Sequence, residues 1–255
     1  MKVPSTRGKW AAPDGYGPAV EVRGAKKSWG SIKALKTVDL KVNRGEMFGL
    51  IGPNGAGKST LMKALLGSVR LDDGTVRVLG MNPNSEDLRI KAHTGFVPES
   101  ESPPSFLTLS EFLDFVLHVR GLEASREKKE RWTRFFDLDG QESKVARNMS
   151  KGTRQKMMLA SAFIHDPPLY LLDEPFINLD PIYQRKVKDH LRYFVDNGGT
   201  ILLSTHILAL AEELCDRVAI INKGTILRTD DRDALVSEFG GLEKAFLTLV
   251  GYYST

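Results

Sequence analysis

The sequence predicts an α/β fold: a mainly parallel sheet, an antiparallel β subdomain and an inserted α-helical subdomain. Three observations lead there. Met47-Phe48-Gly49-Leu50-Ile51 and Leu169-Tyr170-Leu171-Leu172 are almost wholly apolar, as strands covered on both faces of a parallel sheet must be. Ala19–Arg23 and Thr37–Val42 instead alternate apolar and polar residues, the pattern of antiparallel strands with one wet face. Between about Phe106 and Arg147 the period turns helical and interrupts the α/β alternation.

Residues 1 to 18 carry Pro4, Gly8, Pro13, Gly15, Gly17 and Pro18 without periodicity and are expected to be a flexible extension. Residues 19 to 240 form the expected core domain, with the helical insert at about 100 to 150 and a short helix or tail at 241 to 255. After the strand Met47–Ile51 comes a Gly-rich loop, then a helix from Ser59 to Leu66 with Leu61, Leu65 and Leu66 on one face. The turn Asp72-Asp73-Gly74 introduces a strand at Thr75–Leu79, and Thr94–Val97 is a short strand ended by Pro98. Thr108-Leu109-Ser110-Glu111 is a capping box ahead of a stripe of Phe112, Phe115, Val116 and Val119. Phe106, Leu107 and Leu109 either pack inside the insert or form an apolar patch at its head. A charged helix covers Ser125 to Asp137. A helix over Lys151–Ile164 precedes the strand Leu169–Leu172. Asp180-Pro181 opens a helix, with Asp as N-cap and Pro at the first position, that runs to Gly198-Gly199. Thr200–Ser204 is a further buried strand. Val218–Ile221 and Thr225–Leu227 flank the turn Asn222-Lys223-Gly224 as a hairpin, and one or two short helices close the chain.

The loop Gly52-Pro53-Asn54-Gly55-Ala56-Gly57-Lys58-Ser59-Thr60 matches the phosphate-binding (P-loop) pattern in the required strand–loop–helix setting, so the core is expected to be a P-loop nucleoside triphosphatase. Its backbone N–H groups and the helix dipole suit phosphate. The pattern assigns Lys58 to the β and γ phosphates and the Ser59 hydroxyl to Mg²⁺. Asp173, at the end of a buried strand, is placed to hold Mg²⁺ through water, and Glu174 to polarise the water that attacks the γ phosphate. The expected ligands are therefore a nucleoside triphosphate and Mg²⁺.

Composition sets limits. The 255 residues are 41% hydrophobic and 27% charged, which suits a soluble globular chain large enough for a sizeable core. A net charge of +4 suits a phosphate ligand or an anionic membrane surface, and no nucleic-acid partner is expected. No apolar run is long enough to span a bilayer, no secretory stretch follows Met1-Lys2, and neither end carries a lipidation signal. Cys215 is the only cysteine, so no internal disulfide can form. It reads as a small buried hydrophobe near a helix end in a reducing cytosolic protein.

From about Ala19 to Arg228 the chain resembles the ATPase subunits of ATP-binding cassette (ABC) transporters. The most specific element is Met149-Ser150-Lys151-Gly152-Thr153-Arg154-Gln155, standing where that family carries a Leu-Ser-Gly-Gly-Gln signature. The resemblance implies that the nucleotide is ATP, and that Ser150 and Gly152 bind the γ phosphate of ATP held by another subunit. It implies that Trp29 stacks on adenine and that Glu99, where Gln is usual, touches Mg²⁺ and the attacking water. It further implies that Asn178-Leu179-Asp180 crosses a dimer interface and that His206 contacts the γ phosphate. Lys151 in place of Gly, Thr153 in place of Gln, and Glu99 depart from the family pattern; similar variants occur in exporters. The implied function is an ATP-hydrolysing subunit, working as a homodimer or heterodimer and attached to an integral membrane permease subunit at the cytoplasmic face. The rival reading is a soluble ABC ATPase acting as an assembly scaffold.

Overall fold

The computed structural model describes residues 9–10, 17–100 and 103–252. Most of the stretch 1 to 18 therefore lies outside the described residues. Trp10, within it, is docked rather than loose. Its ring is 9% exposed and lies 4.7 Å from Phe194, its backbone N donates to Asn197 O and its Nε1 donates to Asp166 O. A large apolar ring with a polar handle finds both needs met there.

The strands are β1 (Val20–Trp29), β2 (Ile32–Val42), β3 (Met47–Ile51), β4 (Asp73–Val78), β5 (Thr94–Val97), β6 (Leu169–Asp173), β7 (Thr200–Thr205), β8 (Arg217–Asn222) and β9 (Thr225–Asp231). The helices are α1 (Lys58–Leu65), α2 (Pro83–Ala92), α3 (Leu109–His118), α4 (Arg126–Phe135), α5 (Lys151–Phe163), α6 (Pro181–Asp196), α7 (Leu208–Leu214), α8 (Arg232–Phe239) and α9 (Leu242–Leu249). The order β2-β1-β4 makes an antiparallel sheet. The order β5-β6-β7-β3-β8-β9 makes the main sheet, parallel up to β8, with β9 antiparallel at its edge.

Strand alternation divides the core in two. Met47 and Ile51 of β3, and Tyr170 and Leu172 of β6, join a cluster with α3 to α9. Phe48 and Leu50, and Leu169 and Leu171, point the other way, towards α1 and the antiparallel sheet. Both faces are covered, which is why these strands read as continuous apolar runs. β3 lies between β7 and β8, so the loop that follows it leaves from the middle of the sheet.

Two details differ from the sequence reading. β1 and β2 reach a turn at Gly30, well beyond Arg23 and Thr37, because register shifts between Val22 and Ser28 break the alternation that marked them. α2 was not foreseen: only Pro83 and Ile90 of its ten residues are buried, so no apolar stripe announces it. At the head of the insert, Leu109 is buried and Leu107 packs on the core, while Phe106 is exposed against the Arg147 guanidinium. Two short helices, α8 and α9, close the described chain, and Leu242 and Ala245 of α9 are fully buried in the first cluster.

Candidate functional site

The loop between β3 and α1 is shaped by its glycines as much as by any ligand. Gly57 has φ +110°, and a Cβ there would lie 2.5 Å from Ala34 O of β2. At Gly52 a Cβ would lie 2.2 Å from Ile221 O of β8. Side chains at either position would push the loop off its neighbours. Lys58 is buried, and its Nζ donates to Gly52 O (2.7 Å) and Pro53 O (3.1 Å). Burial lowers its pKa, while Glu174, Asp173 and Glu99 pull the other way.

Parallel pairing sets Asp173 of β6 beside Ser204 of β7. Ser204 Oγ donates to Asp173 Oδ1 at 2.6 Å. Burial raises the Asp173 pKa, and the hydrogen bonds from Ser204 and Ser59 oppose that. The next residue, Glu174, is buried and adopts φ +50°. Three donors hold its carboxylate. Thr205 Oγ1 donates to Oε2 at 2.9 Å, the His206 backbone N donates to Oε1 at 2.7 Å, and His206 Nδ1 lies 2.6 Å from the same Oε1. A positive φ outside glycine is costly, and here the two strand ends hold it in place.

These groups border a cleft of about 460 Å³. It is lined by Asn54, Gly55, Gly57, Lys58, Ser59 and Thr60 of the loop, by Glu99, and by Asp173 and Glu174. Ser59 Oγ donates to Glu99 Oε2 at 3.3 Å. The Ser59 hydroxyl with the Asp173 and Glu99 carboxylates is an all-oxygen set of the kind Mg²⁺ takes. Among the described residues no three His, Cys, Asp or Glu side chains form a self-sufficient metal cluster. The set thus fits an ion that completes its shell with water and substrate phosphates.

Ala56 and His206 do not line the cleft, although His206 touches Glu174. Trp29 does not line it either. It pairs across the turn with Ile32, which does, and its half-exposed ring has Lys27 Nζ 5.0 Å from its centroid. Sequence reading missed Lys33, Lys36 and Lys223, which line the cleft. The β2 lysines carry no motif, and Lys223 arrives because Gly224 N donates to Ala56 O (2.9 Å) while Lys36 N donates to Gly224 O (2.8 Å). The Ser204 and Thr205 hydroxyls were also missed as partners of the two acids. The visible signal was that Ser-Thr-His ends one apolar strand as Asp-Glu ends another.

Ser150, Gly152 and Asp180 assemble elsewhere. Ser150 caps α5, its Oγ accepting from Thr153 N at 3.1 Å. A Cβ on Gly152 would lie 2.8 Å from Asn178 O, so this glycine lets α5 meet the loop before α6. Gln155 Nε2 donates to Pro175 O in that loop at 2.8 Å. Asp180 Oδ1 caps α6, accepting from Ile182 N and Tyr183 N. None of Ser150, Gly152 and Asp180 lines the cleft.

Residues 35–177 match the family described as ABC transporter. An uncharacterised ABC transporter ATP-binding protein of Synechocystis sp. is 38% identical over 201 residues, covering 77% of this chain and 56% of that protein. The chain thus spans little more than half of that relative's length. The Nod factor export ATP-binding protein I of Rhizobium sp. is 34% identical over 247 residues, covering 92% of this chain and 81% of that protein. A solved structure of an ATP binding subunit of an ABC transporter superposes with a TM-score of 0.84 at 33% identity, covering 91% of this chain and 99% of that one.

Proposed function

The chain belongs to the ABC transporter family, and from that premise we propose that it is the ATP-hydrolysing subunit of an exporter, driven by ATP-dependent dimerisation and coupled to a membrane permease subunit. The observation that carries the hydrolytic reading is the clamp on Glu174. A carboxylate fixed by Thr205 and His206, one residue from Asp173 and lining the cleft of the phosphate loop, is built to orient a water for in-line attack. Lys58 would bear on the β and γ phosphates. Ser59, Asp173 and Glu99 would hold Mg²⁺, whose chemistry is to offset the charge that develops on the phosphates. Trp29 would stack on adenine from the rim of the cleft, and His206 would hold Glu174 and meet the γ phosphate.

The separation of Ser150, Gly152 and Asp180 from the cleft supports the dimer. The capped N-terminus of α5 suits an anion that its own subunit does not supply. ATP held by one copy would meet Ser150 and Gly152 of another. Export is the direction favoured by the Nod factor relative. Residues 19 to 240 would form the ATPase unit, at the cytoplasmic face of the membrane. Among the described residues no helix is long and apolar enough to cross one.

The test is Glu174→Gln, which keeps shape and hydrogen bonding but removes the charge. Steady-state hydrolysis is expected to fall ~10²-fold or more while ATP binding survives. Near-normal turnover would overturn the assignment.

A further inference from the structure

We propose that Tyr183 is a positioning residue, which through Asp137 and Lys156 holds the helical insert and α5 at a fixed angle to α6, and so governs ATP-driven association of two copies of the chain. The inference rests on the reading above that α5 meets a nucleotide held by a second copy.

Tyr183 stands in the first turn of α6, three residues past Asp180, and is 9% exposed. Its hydroxyl donates to Asp137 Oδ2 at 2.5 Å. Asp137 follows α4 within the insert, with φ +49°. Lys186, almost one turn further along α6, donates to the same oxygen at 3.4 Å and to Phe135 O at 3.4 Å. The face of the Tyr183 ring receives Lys156 Nζ of α5, 3.0 Å from its centroid. One side chain therefore joins elements centred on residues 137, 156 and 183. A phenol is suited to this, since its edge donates a hydrogen bond while its face takes a cation.

Nothing in the cleft needs this contact, because none of Tyr183, Asp137 and Lys156 lines it. Nor does α6 need it to start, since Asp180 and Pro181 already cap and open the helix. Its consequence lies along α5. Lys156 is six residues from Ser150, about 9 Å along the helix axis. The N-terminus of α5 is pinned to the loop before α6 where Gly152 approaches Asn178 O. A second attachment at Lys156 removes the rotation that a single pivot allows. The charges support a persistent clamp. The hydrogen bond from Tyr183 and then Lys186 hold the Asp137 carboxyl below its usual range, and burial and Asp137 push the Tyr183 hydroxyl up to about 12, so it stays a donor.

The experiment uses the full chain carrying Glu174→Gln, with Mg-ATP, and measures self-association by sedimentation, nucleotide affinity by equilibrium binding and the thermal midpoint. Adding Tyr183→Phe keeps the ring over Lys156 and removes only the hydroxyl. It is expected to weaken ATP-driven dimerisation about fivefold, with nucleotide affinity and thermal midpoint nearly unchanged. Asp137→Ala should match it, the double variant should be no worse than either single one, and Asp137→Asn, which keeps an acceptor, should restore most of the association. Dimerisation of Tyr183→Phe equal to its parent overturns the inference. So does a parallel loss of heat stability and nucleotide binding, which marks a merely structural contact. A Glu174→Gln parent that binds ATP but never dimerises overturns the dimer reading itself, and this inference with it.

Discussion

At Glu174 a positive φ, a buried carboxylate and donors from the adjacent strand end coincide. Its neighbour Asp173 is held in the same way by Ser204, so the two acids depend on the register of β6 against β7. The two buried histidines outside the site, His165 and His190, serve packing rather than chemistry, and they have a measurable cost. Burial holds His165 and His190 neutral, with pKa values pushed from 6.5 down to about 3 and about 4. Among the described residues His190 Nε2 has no hydrogen-bond partner, and its ring packs on Trp132 and Phe163. Below pH 6.5 the unfolded chain takes up protons that these folded histidines resist. Stability should therefore fall as pH drops from about 6.5 towards 4, by at most about 1.4 kcal/mol per pH unit for each histidine. Above 6.5 the pair adds no pH dependence. His190→Leu should make urea unfolding less steeply pH-dependent in that window; an unchanged slope would show that other groups dominate.

At the scale of elements, the chain is legible where burial follows a period and opaque where it does not. The capping box at Thr108 forms as expected, with Thr108 Oγ1 accepting from Glu111 N and the Glu111 carboxylate accepting from Thr108 N. α6 begins at Asp180-Pro181 for the same reason, since local chemistry settles a helix start. Cys215 closes α7 and is fully buried. α2 escapes because its pattern is polar and it kinks at Glu86, where φ is −131°. Trp10 escapes because nothing local marks its partner, Phe194, which is distant in sequence. Its indole also donates to Asp166 O, and Lys9 pairs with Asp166 at 3.2 Å. Trp10→Ala should cost about 3 kcal/mol of unfolding free energy by calorimetry or denaturant titration, because a large ring leaves a cavity. If removal changes stability by less than 0.5 kcal/mol, on the order of an ordinary surface substitution, the docking contributes nothing to the fold.

For the whole molecule, the proposed cycle makes two demands. The first is that α5 presents its N-terminus to a second copy. Lys151 is exposed and opens that helix. Lys151→Glu suits the monomer, since an acid is welcome in a first turn, but opposes an incoming phosphate. In a Glu174→Gln background it should leave ATP binding intact and weaken the ATP-dependent dimer about tenfold by sedimentation. Gly152 is a poorer probe than Lys151, because a side chain there also strikes Asn178 O. The second demand is a membrane partner. Coexpressed with its permease, the chain should move to the membrane fraction. Phe106→Asp should release it without loss of ATP binding, Phe106 being the exposed member of its apolar group. Wild-type protein that co-purifies only with soluble proteins would favour the scaffold reading.

The sequence alone determined the phosphate loop, the paired acids after an apolar strand, the buried parallel strands and the helical insert. Each is a local pattern in which a glycine, a cap or a period of burial is dictated by neighbours along the chain. Tertiary structure alone decided which hydroxyls hold Asp173 and Glu174, which lysines reach the cleft, that Ile32 rather than Trp29 lines it, and that Tyr183 meets Asp137 and Lys156. Those contacts depend on strand order and helix packing between segments far apart in the chain. No local period records which strand will lie beside which.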